Sequence, residues 1–177
     1  MKKILLGCLT LIVLTVTSGC GYALAGRGSF LPDYIQIVGV PNFINKSNVF
    51  EIERVLTDRV RTEFSSRGKY RVQPDTNNVD AILTGTIVNV RFNNTAYTAG
   101  SQASRVQLIV TASFEFKDVR ENKVIWTRPS MDFREEFEPT TATGTDAAAF
   151  LGGNSNALER LAQTFARSLV TTILEAF

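Results

Sequence analysis

Four carboxylates crowd one stretch of the chain: Asp132, Glu135, Glu136 and Glu138. A pair of carboxyl groups flanking a sugar bond can serve as the acid and base of a glycosidase. This stretch has no recognisable aromatic-lined cleft and lies where a strand runs into a loop. It reads instead as a solvated acidic edge. Gly152-Gly153-Asn154-Ser155 precedes a helical pattern and has the small residues of a phosphate-cradling loop. It lacks the Gly-Lys-Ser/Thr ending, so it reads as a flexible lead-in. Histidine is absent from the chain. Ser-His-Asp and Cys-His nucleophilic chemistry is thereby excluded, and the commonest metal ligand is missing. The expectation is a protein that is not an enzyme and needs no metal or cofactor.

The chemistry that remains sits on a cysteine. Of the two cysteines, Cys8 and Cys20, the second closes a recognisable pattern. Lys2 and Lys3 are positive, Ile4 to Val16 is an uncharged apolar run, and Thr17-Ser18-Gly19 are small. An apolar core of about a dozen residues suits a secretory signal, whereas a membrane span needs roughly 20. The ending Ser18-Gly19-Cys20 resembles a bacterial lipobox. The cysteine of that motif is lipidated on sulfur, and its amine is acylated once the signal is removed. Thr17 stands where leucine is commonest in that motif. Cys8 also follows Leu-Leu-Gly, but too few residues precede it to form an apolar core. The division expected is a signal peptide over 1–19, a lipidated, glycine-rich tether over 20–33, and a single domain over 34–177.

The full chain carries 19 Lys+Arg and 17 Asp+Glu. Lys2 and Lys3 leave with residues 1–19, so 17 cations face 17 carboxylates in the remainder. The apparent pI of 8.6 is then partly a property of the signal. No nucleic-acid footprint remains. With Cys8 in the signal and Cys20 lipidated, no thiol is left to form a disulfide.

The elements that must position any site follow in chain order. Ile35 to Val40 is β-branched and stopped by Pro41, which predicts a strand. Asn48 and Glu51 have capping-box spacing. Ile52, Val55, Leu56, Val60 and Phe64 then recur at helical spacing, opposite Glu53, Arg54, Asp58, Arg59, Arg61 and Glu63. That helix should end near Arg67-Gly68. Lys69 to Val72 reads as a short strand. Asp80 to Phe92 reads as a long one, with Gly85 as a possible bulge. Asn93 to Ser104 reads as a polar loop. Arg105 to Lys117 alternates most cleanly: Val106, Leu108, Val110, Ala112, Phe114 and Phe116 share one face. Arg105, Gln107, Thr111, Ser113, Glu115 and Lys117 share the other, with Ile109 the one exception. Lys123 to Phe133 returns as a strand in which Pro129 suits an edge or a bulge. Glu135 to Ser155 reads as a long loop. Asn156 then caps a helix whose apolar face runs Leu158, Leu161, Ala162, Phe165, Leu169, Ile173 and Phe177. The fold class expected is α+β: a two-layer sandwich with a four- to five-stranded, mostly antiparallel sheet and two amphipathic helices on one face.

A set of short segments then resembles a known family. They are Cys20-Gly-Tyr-Ala-Leu-Ala-Gly, Val40-Pro-Asn-Phe-Ile-Asn-Lys-Ser, Glu53-Arg-Val-Leu-Thr-Asp, Ser66-Arg-Gly-Lys-Tyr-Arg-Val, Asp80-Ala-Ile-Leu-Thr-Gly-Thr-Ile, Lys123-Val-Ile-Trp, and Ala157-Leu-Glu-Arg-Leu-Ala. In this order they resemble the LptE family of lipopolysaccharide-assembly lipoproteins. The resemblance implies two helices on a four-stranded sheet. It also implies a place in the Gram-negative outer membrane and a partner, the large β-barrel LptD, whose lumen such a protein plugs and whose assembly it assists. It further implies binding of lipopolysaccharide on its way to the cell surface. Gly21 lacks the aspartate that retains lipoproteins in the inner membrane. For the phosphates of lipopolysaccharide, Arg91, Arg105, Lys117 and Arg134 form the candidate basic set. The rival reading is a structural or secretion-channel lipoprotein that assembles with copies of itself.

Overall fold

The computed structural model describes residues 31–67, 69–97, 103–137 and 155–176. Cys20, Gly68, Glu138, Phe150, Leu151, Gly152-Gly153 and Phe177 lie outside these residues. The elements are β1 (Ile37–Gly39), β2 (Ile44–Asn45), α1 (Ile52–Ser66), β3 (Arg71–Gln73), β4 (Ala81–Tyr97), β5 (Ala103–Asp118), β6 (Lys123–Phe137) and α2 (Ser155–Leu174). They form one six-stranded sheet in the order β3-β1-β4-β5-β6, with β2 also paired to β4.

The three long strands form an antiparallel meander, as the alternating pattern predicts. The short strands depart from that expectation, because β1–β3, β1–β4 and β2–β4 are all parallel. The reason is connectivity. Helix α1 carries the chain back to the end of the sheet where β1 began, so β3 starts in the same direction as β1.

The apolar face of β5 is its framework. Val106, Leu108, Val110, Ala112, Phe114 and Phe116 are all buried. Val38, Leu83, Ile87, Phe133 and Trp126 join them from neighbouring strands. Ile52, Leu56, Val60 and Phe64 of α1, and Leu161, Phe165, Leu169 and Ile173 of α2, close the layer above. The helices lie side by side in the same direction, tied by an Arg59–Glu159 ion pair and by Arg67 donating to Thr171 Oγ1 at 2.9 Å.

Several boundaries moved. The stretch Asn93–Ser104 is strand at both ends, because Asn93 and Asn94 pair with Gln107 and Val106. Glu135 to Phe137 likewise stay in β6 opposite Leu108 to Val106. Their polar composition belongs to a solvated ribbon rather than a loop. Gly85 is not a bulge; the register slips at Val88 instead. A Cβ at Gly85 would sit 2.8 Å from Phe43 Cδ1 and 3.0 Å from the Phe114 ring, so the residue permits close packing. Pro129 does lie at a bulge of the edge strand β6, between the pairs Ala112↔Met131 and Phe114↔Arg128.

Asn48 does not cap α1. The residue before the helix is Glu51, at φ 59°, with no side-chain cap. A non-glycine residue there costs roughly 1–2 kcal/mol. Asn45 does the local fixing: its Nδ2 donates to the Val49 carbonyl at 2.7 Å and to Glu53 at 2.8 Å, and its Oδ1 accepts from the Ser47 N–H at 2.9 Å. Asn156 is likewise inside α2, which begins at Ser155. The buried Thr57 accepts the Phe43 N–H at 3.0 Å, and Arg61 donates to the Val40 carbonyl at 2.9 Å and to Asn42 at 2.9 Å. These bonds hold the segment from Val40 to Ser47 against α1.

Gly85→Ala tests the packing directly. The Phe43 and Phe114 rings are locked edge-to-face at 5.7 Å and both contact Phe165, so neither can retreat freely. Overpacking of this kind costs about 1–3 kcal/mol. A lowered denaturation midpoint with unchanged slope is the expected result of chemical unfolding.

Candidate functional site

The helices leave one sheet face uncovered by the described residues. Along β5 it presents Arg105, Gln107, Ile109, Thr111, Ser113, Glu115 and Lys117. Between Arg105 and Asp118 every inserted residue falls on β4 or β6, so β5 keeps its alternation intact.

Ile109, the exception to the alternation, is only 6% exposed although it belongs to this outer face. The register places Arg91 on one side of it and Arg134 on the other. Their aliphatic stems are in reach to cover it while their guanidinium groups stay in water. Asp132 stands beside them. It accepts from Arg134 at 2.9 Å and from Thr111 Oγ1 at 2.7 Å, and lies 3.9 Å from Arg91. Arg105, four residues along β5, faces Glu136 at 3.9 Å. The structure therefore gathers Arg91, Arg134 and Arg105 toward one end of the face, interleaved with carboxylates. Lys117 is not brought to them: at about 3.3 Å rise per residue, it lies roughly 40 Å along β5 from Arg105. Its cross-strand neighbours are Ile82 and Val124.

The acidic group does not assemble as a catalytic pair. Strand alternation sends Asp132 and Glu136 outward and Glu135 toward the helices. There Glu135 accepts from Arg160 at 2.9 Å and from Thr164 at 3.1 Å. Below the arginines a hollow of about 250 Å³ is lined by Thr84, Thr86, Ser113, Glu115, Thr127 and Pro129. It is smaller than the pockets of roughly 300–1,000 Å³ that hold small ligands. Among the described residues no group of His, Cys, Asp and Glu is arranged to hold a metal. Among them, too, no helix is long and apolar enough to cross a membrane.

One carboxylate escaped the sequence reading. Asp118 is fully buried and accepts the Tyr34 hydroxyl on one oxygen and the Glu121 N–H, at 2.9 Å, on the other. Arg120 stacks over the Tyr34 ring at 4.4 Å. Burial alone pushes the Asp118 carboxyl up. The Tyr34 hydroxyl, the Glu121 and Arg120 N–H groups and the Arg120 charge outweigh it, and the result lies below the ordinary value of 3.8. The Tyr34 phenol is pushed up to about 12, mainly by its bond to Asp118, then by burial and the Asp118 charge. A carboxylate so fully engaged is a clamp, not a general base. It ties the entry of the domain to the β5–β6 turn. The two residues are 84 positions apart, a pairing that no local sequence pattern signals.

Comparison with known proteins bears on what this arrangement serves. A family model described as LptE, lipopolysaccharide-assembly, matches residues 35–173. No curated protein sequence matches significantly. Among solved structures, a hypothetical protein of Chlamydia trachomatis superposes with a TM-score of 0.52 at 10% identity, covering 78% of this chain and 95% of its own. A minor lipoprotein from Acinetobacter baumannii gives 0.49 at 12% identity, covering 82% and 95%. Rare lipoprotein B from Shewanella oneidensis gives 0.47 at 12% identity, covering 78% and 95%. At these identities the likeness to the Chlamydia protein is one of fold, shared over almost its whole length.

The clamp predicts a pH profile with two arms. The raised Tyr34 pKa contributes stability that is complete below the ordinary value of 10.0 and is lost as pH climbs toward about 12. The depressed Asp118 pKa contributes stability present above 3.8 and lost as pH falls below it. Thermal unfolding followed across both ranges should show both losses. Tyr34→Phe should remove the Tyr34 share of the alkaline arm and leave that of Tyr70, whose phenol is pushed up by burial and by the Asp33 charge. An alkaline arm no shallower than the parent's would show that the hydroxyl bond carries no stability.

Proposed function

The chain belongs to the LptE lipopolysaccharide-assembly family, and from that premise we propose that it is a lipid-anchored outer-membrane lipoprotein on the periplasmic side that plugs an LptD-like β-barrel. It assists assembly of that barrel and takes part in delivering lipopolysaccharide to the outer leaflet. The observation that carries this reading is the family match, which runs from before β1 to the last turn of α2. The uncovered sheet face supports it. A plug must offer a polar, nearly neutral surface to a polar lumen. This face does so by interleaving Arg91, Arg105 and Arg134 with Asp132 and Glu136.

The mechanism is steric and electrostatic, with no covalent step. The folded wedge fills the lumen, and Cys20, carrying its lipids, holds the domain at the membrane. One acyl chain of myristoyl length gives only marginal attachment, whereas several give a lasting one. Arg91, Arg134 and Arg105 meet the phosphates of lipopolysaccharide by exchanging their internal carboxylate partners for the ligand. Lys117, remote from the other three, is a separate solvated charge.

Detergent extraction and affinity purification of the full chain should recover a large β-barrel in 1:1 ratio; recovery of self-oligomers alone would sink the proposal. Cys20→Ala should release the protein from membranes, and persistent membrane attachment would place the anchor elsewhere. Arg91→Ala with Arg134→Ala should weaken lipopolysaccharide binding on the order of tenfold, most visibly at low salt. Asp132→Asn, which frees both guanidinium groups, should strengthen it. Equal binding by all three proteins would leave these arginines as surface charges only.

A further inference from the structure

The large apolar side chains exposed among the described residues fall in two places. Val119 and Val124 lie at the β5–β6 turn. Ile44, Phe50 and Val88 lie where β2 meets β4, at 60%, 92% and 45% exposure. Ile44 stands opposite Thr86, and the Lys46 N–H donates to the Ile87 carbonyl at 2.9 Å, so Val88 follows directly. Phe50 comes one residue after Val49, whose carbonyl is held by Asn45 at 2.7 Å.

The exposure of Phe50 is built into the loop. Val49 is buried and takes the inward position. The Asn45 amide straps the loop at Ser47, Val49 and Glu53. Glu51 then adopts φ 59°, a conformation that non-glycine residues keep mainly where function or rigid surroundings require it. The phenyl ring is thus presented to solvent on a rigid mount. Single rigid aromatics of this kind are typical binding anchors.

Backbone and charge describe what would bind. Beyond Ile87 no described strand lies on that side of β4, so Val88 to Arg91 form an edge on which a further strand can add. Lys46 has no ion pair among the described residues. The nearby acids are engaged, Glu51 by Arg54 at 3.3 Å and Glu53 by Asn45 at 2.8 Å. The edge is therefore apolar and cationic. A second copy would bring like charges together across the contact. A bilayer would want an unbroken apolar face, whereas Ser47, Asn48 and Thr86 interrupt this one.

We propose that the β2–β4 edge is where the barrel partner docks. An extended segment of the partner adds beside β4 from Val88, sets an acidic side chain near Lys46, and receives Phe50 in an apolar pocket. This rests on the reading above that a barrel is the partner.

The test uses the full chain co-expressed with that barrel. Phe50→Glu should lower affinity for the barrel by about thirtyfold, the scale of an interface anchor. It should leave the thermal midpoint unchanged, since the ring is 92% exposed. Lys46→Glu should weaken binding less, and more at low salt than at high. Hydrogen exchange at Val88 to Arg91 should slow in the complex. Val119→Ser, at the β5–β6 turn, should bind as the parent does. Full binding by Phe50→Glu with unchanged exchange at Val88 to Arg91 overturns the docking proposal while leaving the barrel partnership intact. A parent protein that recovers no barrel overturns both. A Phe50→Glu protein that holds the barrel but loses binding to phospholipid vesicles makes the edge a membrane contact and overturns the proposal in favour of the bilayer.

Discussion

The apolar row on β5 is the constraint on which the rest depends. Six side chains from Val106 to Phe116 point one way without interruption, and all are buried. Each such burial contributes about 1.5–3 kcal/mol for a large aliphatic or aromatic side chain. Because β5 carries this row at the centre of the long strands, its neighbours absorb the irregularity. Val88 bulges from β4, and β6 bulges at Pro129. A slip in β5 itself would turn the row to solvent. The same regularity that builds the core fixes the outer face, since each residue between two core positions must point away from the helices.

That outer face sets carboxylates among its cations. Arg91 and Arg134 share Asp132, and Arg105 faces Glu136. Exposed pairs of this kind contribute little stability, typically 0–1 kcal/mol. Their consequence is a surface that is polar without being strongly charged, and whose cations can change partners at small cost. Ile109, paired in the register with Arg91 on one side and Arg134 on the other, gives their aliphatic stems an apolar surface within reach.

The segment from Val40 to Ser47 shows how a short motif can be structural. Its carbonyls, amides and side chains are taken up by Arg61, Thr57 and the Asn45 turn. Phe43 fills the space above Gly85. These residues turn the chain from β1 through β2 into α1. In doing so they leave Phe50 outside and Val49 inside.

What the sequence determined by itself was local and periodic. The alternation over residues 105–117 specified a one-sided strand, and the apolar residues expected on both helices, Phe177 aside, fell on the faces that are buried or partly buried. Pro129, lacking an N–H to donate, had to lie at an edge or a bulge, and it lies at both. The order of elements gave the α+β class. What only the tertiary structure decided depends on residues distant in sequence. The parallel pairing of the short strands follows from where α1 delivers the chain. The polar ends of β4 and β6 are strand because β5 continues beside them, which their composition hides. Asn48 lost the helix cap because Asn45 found better partners for the loop. Asp118 met Tyr34 across 84 positions. Of the basic candidates, three came together and Lys117 did not, because strand alternation tells which face a side chain takes but not how far along the sheet its partners stand.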